Sequence, residues 1–462
     1  MPLKKPWKLP TPRKLTDAEA KVLRSRATAL CDIEANGLKT LVEDNIKRNR
    51  MASTRLEIYD KDGNDVAGAD IHVKLKNHAF KFGCNAFLAD DLKSEERNAK
   101  YEDTFKTLFN QAVLPNYWKD DEPEKGEYRF AKDSSYIYRR PPVDQMLDFC
   151  ERTNCQPKGH NLFWPSTEHG TPKWLKFDDQ RKLAIEVEKR IRTFAEKYAD
   201  KIPVWDVTNE LIGTRYGNDS VGPDFDVRVW KLANELFYND ELILNDYQCF
   251  FNPAYYNGQA SALYQQVKKL QAHGIRVDGL GIQCHYFHNE DMLCDDEPAK
   301  LDSAHMLDMI NMYSSLGTKI HLSEITIASY DGREDYLQMQ KTLVENLYKV
   351  WFSCEAVNSI VWWNLVDNTA VLPQKQSAFN ENYFGGGLFD KDMNEKPALV
   401  ALKNLVQKEW HTELDLTTSA LGFASFSGFC GEYEITIKKG ADTYTRTITL
   451  DKSHPFTQII LD

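Results

Sequence analysis

From Phe80 to Trp410, short apolar runs alternate with longer stretches in which apolar residues recur every three or four positions. The runs are FKFGCNAF (80–87), QAVLPNYW (111–118), PKGHNLFW (157–164), PVWDVTNE (203–210), ELILNDY (241–247), GLGIQCHYF (279–287), KIHLSEITI (319–327) and SIVWWNLVD (359–367). Short, largely apolar runs suit strands covered on both faces. The clearest helical stretch is 178–199, where Ala184, Val187, Ile191, Phe194, Ala195 and Tyr198 fall on one face. Others lie at 142–152, 225–238, 258–273, 301–316, 335–353 and 396–410. This alternation predicts an α/β fold, a closed (β/α)8 TIM barrel in preference to an open doubly wound sheet.

The ends of the chain follow other periods. Thr16-Asp17-Ala18-Glu19 has the form of a capping box and opens a helical stretch to about Arg50. Residues 53–79 alternate about the turn KDGND like a β-hairpin, and 412–462 read as short strands. The expected organisation is an N-terminal arm and helix (1–52), a hairpin (53–79), the barrel (80–411) and C-terminal strands (412–462). Hairpin and C-terminal strands together predict a small accessory β-sandwich, read as a cover in preference to a carbohydrate-binding module.

Composition narrows the function. A net charge of −11 without a basic stripe excludes a nucleic-acid partner, and no apolar run approaches the length of a membrane span. Met1 to Leu15 has no apolar h-region, and nine cysteines without paired spacing suit a reducing compartment, so the expectation is a cytoplasmic protein unless a signal has been removed. The Cys and His spacings offer no tetrahedral metal site, and no cofactor is expected. The oligomeric state is not legible.

The chemistry centres on KIPVWDVTNELI (201–212), an apolar run that ends in Asn209-Glu210, and on Glu324 within KIHLSEITI. Taken alone, a glutamate near a strand end is more often a helix cap or a surface ion pair. Two at the same end of parallel strands, about 5 to 5.5 Å apart, would make the acid and nucleophile of a retaining glycosidase. Asn116, His160, Glu210, Asp246, Gln283, His285, Glu324 and Asn364 all fall in the carboxyl-terminal halves of strands, on the rim where barrel active sites are built.

These motifs resemble glycoside hydrolase family 10, the retaining β-xylanase family. WDVTNE is similar to its WDVVNE, SEITI to TELDI, GHNLFW to GHTLVW, LNDY to NDYN and GLGIQCH to GIGxQxH. Asn116, Lys119 and Glu122-Pro123-Glu124-Lys125-Gly126 follow its N-x-x-K and EPxxG pattern, and GLFD (387–390) and KPA (396–398) its closing segment. The resemblance implies Glu210 as acid/base, Glu324 as nucleophile and Asn209 on the sugar 2-hydroxyl, with Gln283 and His285 beside the nucleophile. It further implies His160 and Trp164 on the reacting sugar, Asn116 and Lys119 on the sugar beyond, Trp363 as a stacking floor and Tyr247 on the leaving-group side.

Departures fall at Pro115, where the family has Glu, at Pro165 for His, at Thr326 for the Asp that partners the strand-six His, at Asn364 for Gly and at Val371 for Trp. The expected activity is that of an endo-1,4-β-xylanase-like hydrolase acting on a carbohydrate substrate. A β-glycosidase of changed specificity, a non-catalytic carbohydrate-binding barrel and another retaining family of the same barrel clan stay open beside it.

Overall fold

The computed structural model describes residues 16–214, 221–222, 224–247, 258–286, 301–330, 332–371 and 380–461. The expected arm 1–15 and Phe287, the last residue of the sixth expected strand, lie outside them. In chain order, α1 (Asp17–Cys31) and α2 (Lys39–Arg50) precede β1 (Met51–Asp60) and β2 (Asp70–His78). The barrel strands are β3 (Lys81–Asn85), β4 (Gln111–Pro115), β5 (Gln156–Phe163), β6 (Val204–Asn209), β7 (Glu241–Asp246), β8 (Gly279–His285), β9 (Lys319–Thr326) and β10 (Val357–Trp362). All pair in parallel, and β3 bonds to both β4 and β10, which closes the ring.

Helices follow the strands on the outside: α3 (Glu95–Leu108), the short α4 (Trp118–Asp121), α5 (Val143–Thr153), α6 (Gln180–Tyr198), the short α7 (Leu211–Thr214), α8 (Phe225–Leu236), α9 (Ala262–Ala272), α10 (Ser303–Ser314), α11 (Glu334–Ser353) and α12 (Pro397–Asn404). Several of them start on a capping side chain. Asp179 caps α6 by accepting from Arg181 N and Lys182 N at 3.1 Å, and Asp302 caps α10 in the same way. Leu183, Val187, Ile191 and Phe194 of α6 are then buried against the barrel wall.

Three expectations need correction. The stretch 16–50 is two helices, because Asp32 accepts from Glu34 N and Ala35 N and Gly37 takes φ 70°, a turn that ends α1. Helix α3 was not anticipated: its buried face is only Tyr101, Thr104, Phe105 and Leu108, a narrow stripe in a charged segment. Residues 53–79 are not a hairpin in the sense of two paired strands. The Asp60 carboxylate does close the Asp62-Gly63 turn, but the chain then crosses between sheets.

Strand β1 pairs with β12 (Phe423–Phe429) and β15 (Phe456–Leu461), whereas β2 pairs with β11 (Glu413–Thr417) and β13 (Gly431–Lys439), itself flanked by β14 (Asp442–Leu450). Leu56 and Ile58 thus belong to one sheet and Ile71, Val73, Ile435 and Ile437 to the other, all buried. Strand β12 was also unforeseen: in FASFSGF only Ala424, Phe426 and the terminal Gly428-Phe429 are buried, and its serines and glycine carry little strand preference. The sandwich joins the barrel where His78 of β2 meets Phe82 and Phe429 of β12 meets Phe352, beside Phe80 and Trp410 at the end from which β3 starts. It is therefore remote from the carboxyl rim.

Candidate active site

Two bulges set the rim. Between Ile282↔Leu322 and Gln283↔Glu324 the β8–β9 register slips, with Ser323 the extra residue. Between Asp206↔Ile243 and Thr208↔Leu244 the β6–β7 register slips at Val207. A bulge re-aims the side chains that follow it. Here it sets Gln283 across from Glu324 and Asn209 across from Asn245. Glu210 follows with φ 52°, a left-handed backbone that a side-chain-bearing residue adopts at some cost, fixed by its N–H donating to the Asn245 carbonyl at 2.9 Å.

The resulting network is continuous. Asn245 Nδ2 donates to Asn209 Oδ1 and to Glu324 Oε1, both at 2.8 Å, and its Oδ1 accepts from the Ser323 hydroxyl. The bond to Glu324 fixes which way the amide faces, because a carboxylate only accepts. His285 Nε2 lies 2.9 Å from Glu324 Oε2, so each oxygen of this carboxylate has a partner. Gln283 Nε2 donates to Glu210 Oε1 at 3.2 Å and to Asn209 Oδ1 at 3.3 Å. Burial and then the neighbouring Glu324 charge push the Glu210 carboxyl up to about 8, against the bond from Gln283. One carboxyl is thereby disposed to hold a proton beside another that is well solvated by donors.

The remaining expected residues surround this pair unevenly. The rings of Tyr117 and Trp363 each lie 5.5 Å from His160, whose Nδ1 is 2.8 Å from Asp206. Burial works against the Asp206 carboxylate, but Lys158 at 3.0 Å and His160 outweigh it and hold its pKa below the ordinary value. Trp363 also meets His285, with ring centroids 6.0 Å apart. The indole N–H of Trp164 faces the Glu210 carboxyl and, like Gln283, works to lower its pKa; the buried Asn116 Oδ1 has no donor. A buried polar atom left unmet at the rim marks a place where a hydroxylated ligand can bond.

Lys119 is drawn aside, its ammonium donating to the Glu168 carbonyl at 3.1 Å. Tyr247 stands beyond β7 and is 41% exposed. Asp246 is occupied in the turn, accepting from Tyr247 N and Ile212 N. Thr326 stands where the resembling motif carries Asp, yet His285 Nδ1 still finds its hydroxyl at 2.9 Å, so the bond is kept and only the charge is lost. Asn245 and Asp206 were missed by sequence reasoning. The signal was a polar residue inside an otherwise apolar strand, as in LNDY and WDV, which marks a buried group with a dedicated partner. Among the described residues no cluster of His, Cys, Asp and Glu could hold a metal ion.

The profile of Glycosyl hydrolase family 10 matches residues 73–405. Among similar sequences are the anti-sigma-I factor RsgI6 of Acetivibrio thermocellus, 24% identical over 91% of this chain and 50% of its own length, and endo-1,4-beta-xylanase 2 of Arabidopsis thaliana, 24% identical over 89% and 35%. This chain therefore spans half or less of those relatives. Endo-1,4-beta-xylanase B of Thermotoga neapolitana is 23% identical over 73% of this chain and 90% of its own length. Among solved structures, native xylanase 10B from Thermotoga maritima superposes with a TM-score of 0.57 at 23% identity, covering 72% of this chain and 96% of that one, a likeness of fold. With the profile spanning the whole barrel, the chain belongs to glycosyl hydrolase family 10.

Proposed function

We propose that the chain is a retaining β-glycoside hydrolase, endo-1,4-β-xylanase-like, acting on xylan-derived saccharides by double displacement. The observation that carries this reading is the unequal pair: Glu210 held protonated up to about pH 8, and Glu324 ligated on both oxygens by Asn245 and His285. Glu324 attacks the anomeric carbon while Glu210 gives its proton to the leaving oxygen. A glycosyl–enzyme ester forms, the glycosidic C–O bond breaks, and the leaving group departs as an alcohol. Esterified Glu324 carries no charge, so the repulsion that raised Glu210 is gone. Glu210, now ionised, takes a proton from water, which releases the sugar with its configuration retained.

The other residues have roles that follow from their atoms. Asn209, held by Asn245 and Gln283, presents its amide to the 2-hydroxyl. Asn116 Oδ1 bonds a sugar hydroxyl, Trp164 contacts the reacting sugar, and Trp363 supports a sugar face. Tyr247 lies on the leaving-group side. The seven described cysteines are all free thiols, which fits a reducing compartment such as the cytoplasm.

Hydrolysis of aryl β-xyloside, xylobioside, glucoside, cellobioside and galactoside beside soluble xylan tests the reading, with Glu324→Gln as blank and NMR of the first-formed anomer. Turnover of xylobioside and xylan, abolished in the variant and giving the β-anomer first, is expected. Turnover confined to another glycoside would move the substrate, an α-anomer would remove double displacement, and no turnover on any would leave a carbohydrate-binding barrel.

A further inference from the structure

In the hydrolase reading above, Glu210 gives its proton to the leaving group from β6, which puts the leaving group towards β6 and β7 and the glycone across the barrel towards β10, β3 and β4. On that side the loops after three strands are tied together. Arg139, between α4 and α5, is 3% exposed and has φ 60°. Its Nη1 donates to the Thr369 carbonyl at 2.9 Å, its Nη2 to Asn364 Oδ1 at 2.5 Å and its backbone N–H to Asp91 Oδ2 at 3.1 Å. Tyr138 hydroxyl donates to the same Thr369 carbonyl at 2.9 Å. Asn364, with φ 67°, passes the link on by donating to Glu381 Oε2 at 2.8 Å.

This tie sits directly on the site. The guanidinium of Arg140 lies 4.0 Å over the ring of Tyr117, and both Arg139 and Arg140 lie 5.4 Å from the ring of Phe87. Phe87 packs 5.2 Å from Trp363 and 5.9 Å from Tyr117, the two rings that meet His160. Going outward from the reacting centre there is one aromatic layer and then the arginines. A buried guanidinium bonded to groups on three loops is costly to pull apart, since each freed acceptor or donor would stay buried.

We propose that Arg139 and Asn364 bolt the glycone end of the cleft, which leaves room for at most two sugar units there. The chain would then trim short units from the non-reducing end of oligosaccharides. This rests on the hydrolase reading above. Asn364→Gly is the informative variant: glycine takes φ 67° without strain and removes the side chain that joins Arg139 to Glu381.

Xylohexaose labelled at its reducing end, given to the full chain, should yield labelled products shorter by one or two units, and aryl xylotrioside should react no faster than xylobioside. Asn364→Gly, with its melting checked, should raise kcat/KM for the xylotrioside relative to the xylobioside by about tenfold. Central cleavage of xylohexaose by the unaltered chain would overturn the bolt and leave the hydrolase standing. An unchanged length preference in Asn364→Gly would overturn the assignment to these two residues. No cleavage of any aryl glycoside would remove the hydrolase reading, and this inference with it.

Discussion

At the scale of single residues the site turns on how a carboxyl is kept protonated. Glu210 rises from an ordinary 4.5 to about 8, first by burial and then by the charge of Glu324. In the proposed mechanism catalysis needs the protonated acid, so the alkaline limb of kcat/KM should fall near pH 8. In Glu324→Gln the repulsion is absent, and Glu210 should titrate at least a unit lower, which 13C NMR of its carboxyl reads; an unmoved pKa would assign the shift to burial alone.

Stability follows with a definite sign. Between pH 4.5 and 8 the folded chain holds a proton that the unfolded chain has lost, so stability falls as pH rises through that window. Glu210→Gln, which cannot ionise, should match the parent in urea unfolding at pH 4 and exceed it at pH 8.5 by on the order of 2–4 kcal/mol. The same gain at both pH values would point to packing instead. Asn245→Ala removes the amide between Asn209 and Glu324. It should lower kcat about 10²-fold while the chain stays folded, as loss of a preorganised donor does; a change confined to KM would refute that role.

At the scale of elements, adjacent strands approach closely where glycine allows it. A Cβ on Gly159 of β5 would stand 2.2 Å from Trp205 of β6, whose ring is fully buried. Gly159→Ala should therefore destabilise by about 1–3 kcal/mol through overpacking, measured by thermal melting, and a neutral result would show that the indole can shift. The same elements show what the sequence could and could not tell. Strands β3–β10 were legible because parallel strands are continuous apolar runs, and Glu210 and Glu324 because each interrupts one. The bulges at Val207 and Ser323 were not, since a bulge is a matter of register between two strands. Asn245 escaped for the same reason: its role is its cross-strand neighbour. Alternation in 53–79 told that strands would form but not with which partners, because those in β12 and β11 lie 339 residues or more away in sequence.

At the scale of the whole molecule, the sandwich and the candidate site stand at opposite ends of the barrel. The sandwich meets the foot of the barrel through His78 of β2, 5.5 Å from Phe82, and Phe429 of β12, 6.1 Å from Phe352, and the foot itself is knit by further rings and one cation. Trp410 stacks 5.6 Å from Phe82 and 4.2 Å from Phe352, and Arg50 donates to the carbonyls of Phe352 and Val357 at 2.6 and 2.8 Å with its guanidinium 4.6 Å over Phe80. Helices α1 and α2 add a second strap, with Ile33 N–H on Asn346 and Asn49 on the Ser353 carbonyl, both on α11. None of these groups shares a bond with Glu210 or Glu324. Truncating the buried Trp410 to alanine should cost about 3–5 kcal/mol, since it empties the junction between Phe82 and Phe352. Because β9 and β6 are anchored by their own barrel neighbours, kcat on an aryl glycoside at 25 °C should stay within twofold of the parent while the melting temperature falls. A parallel loss of kcat in Trp410→Ala at a temperature where the chain is folded would mean that the foot of the barrel does transmit to the rim, and that the sandwich is part of the catalytic unit.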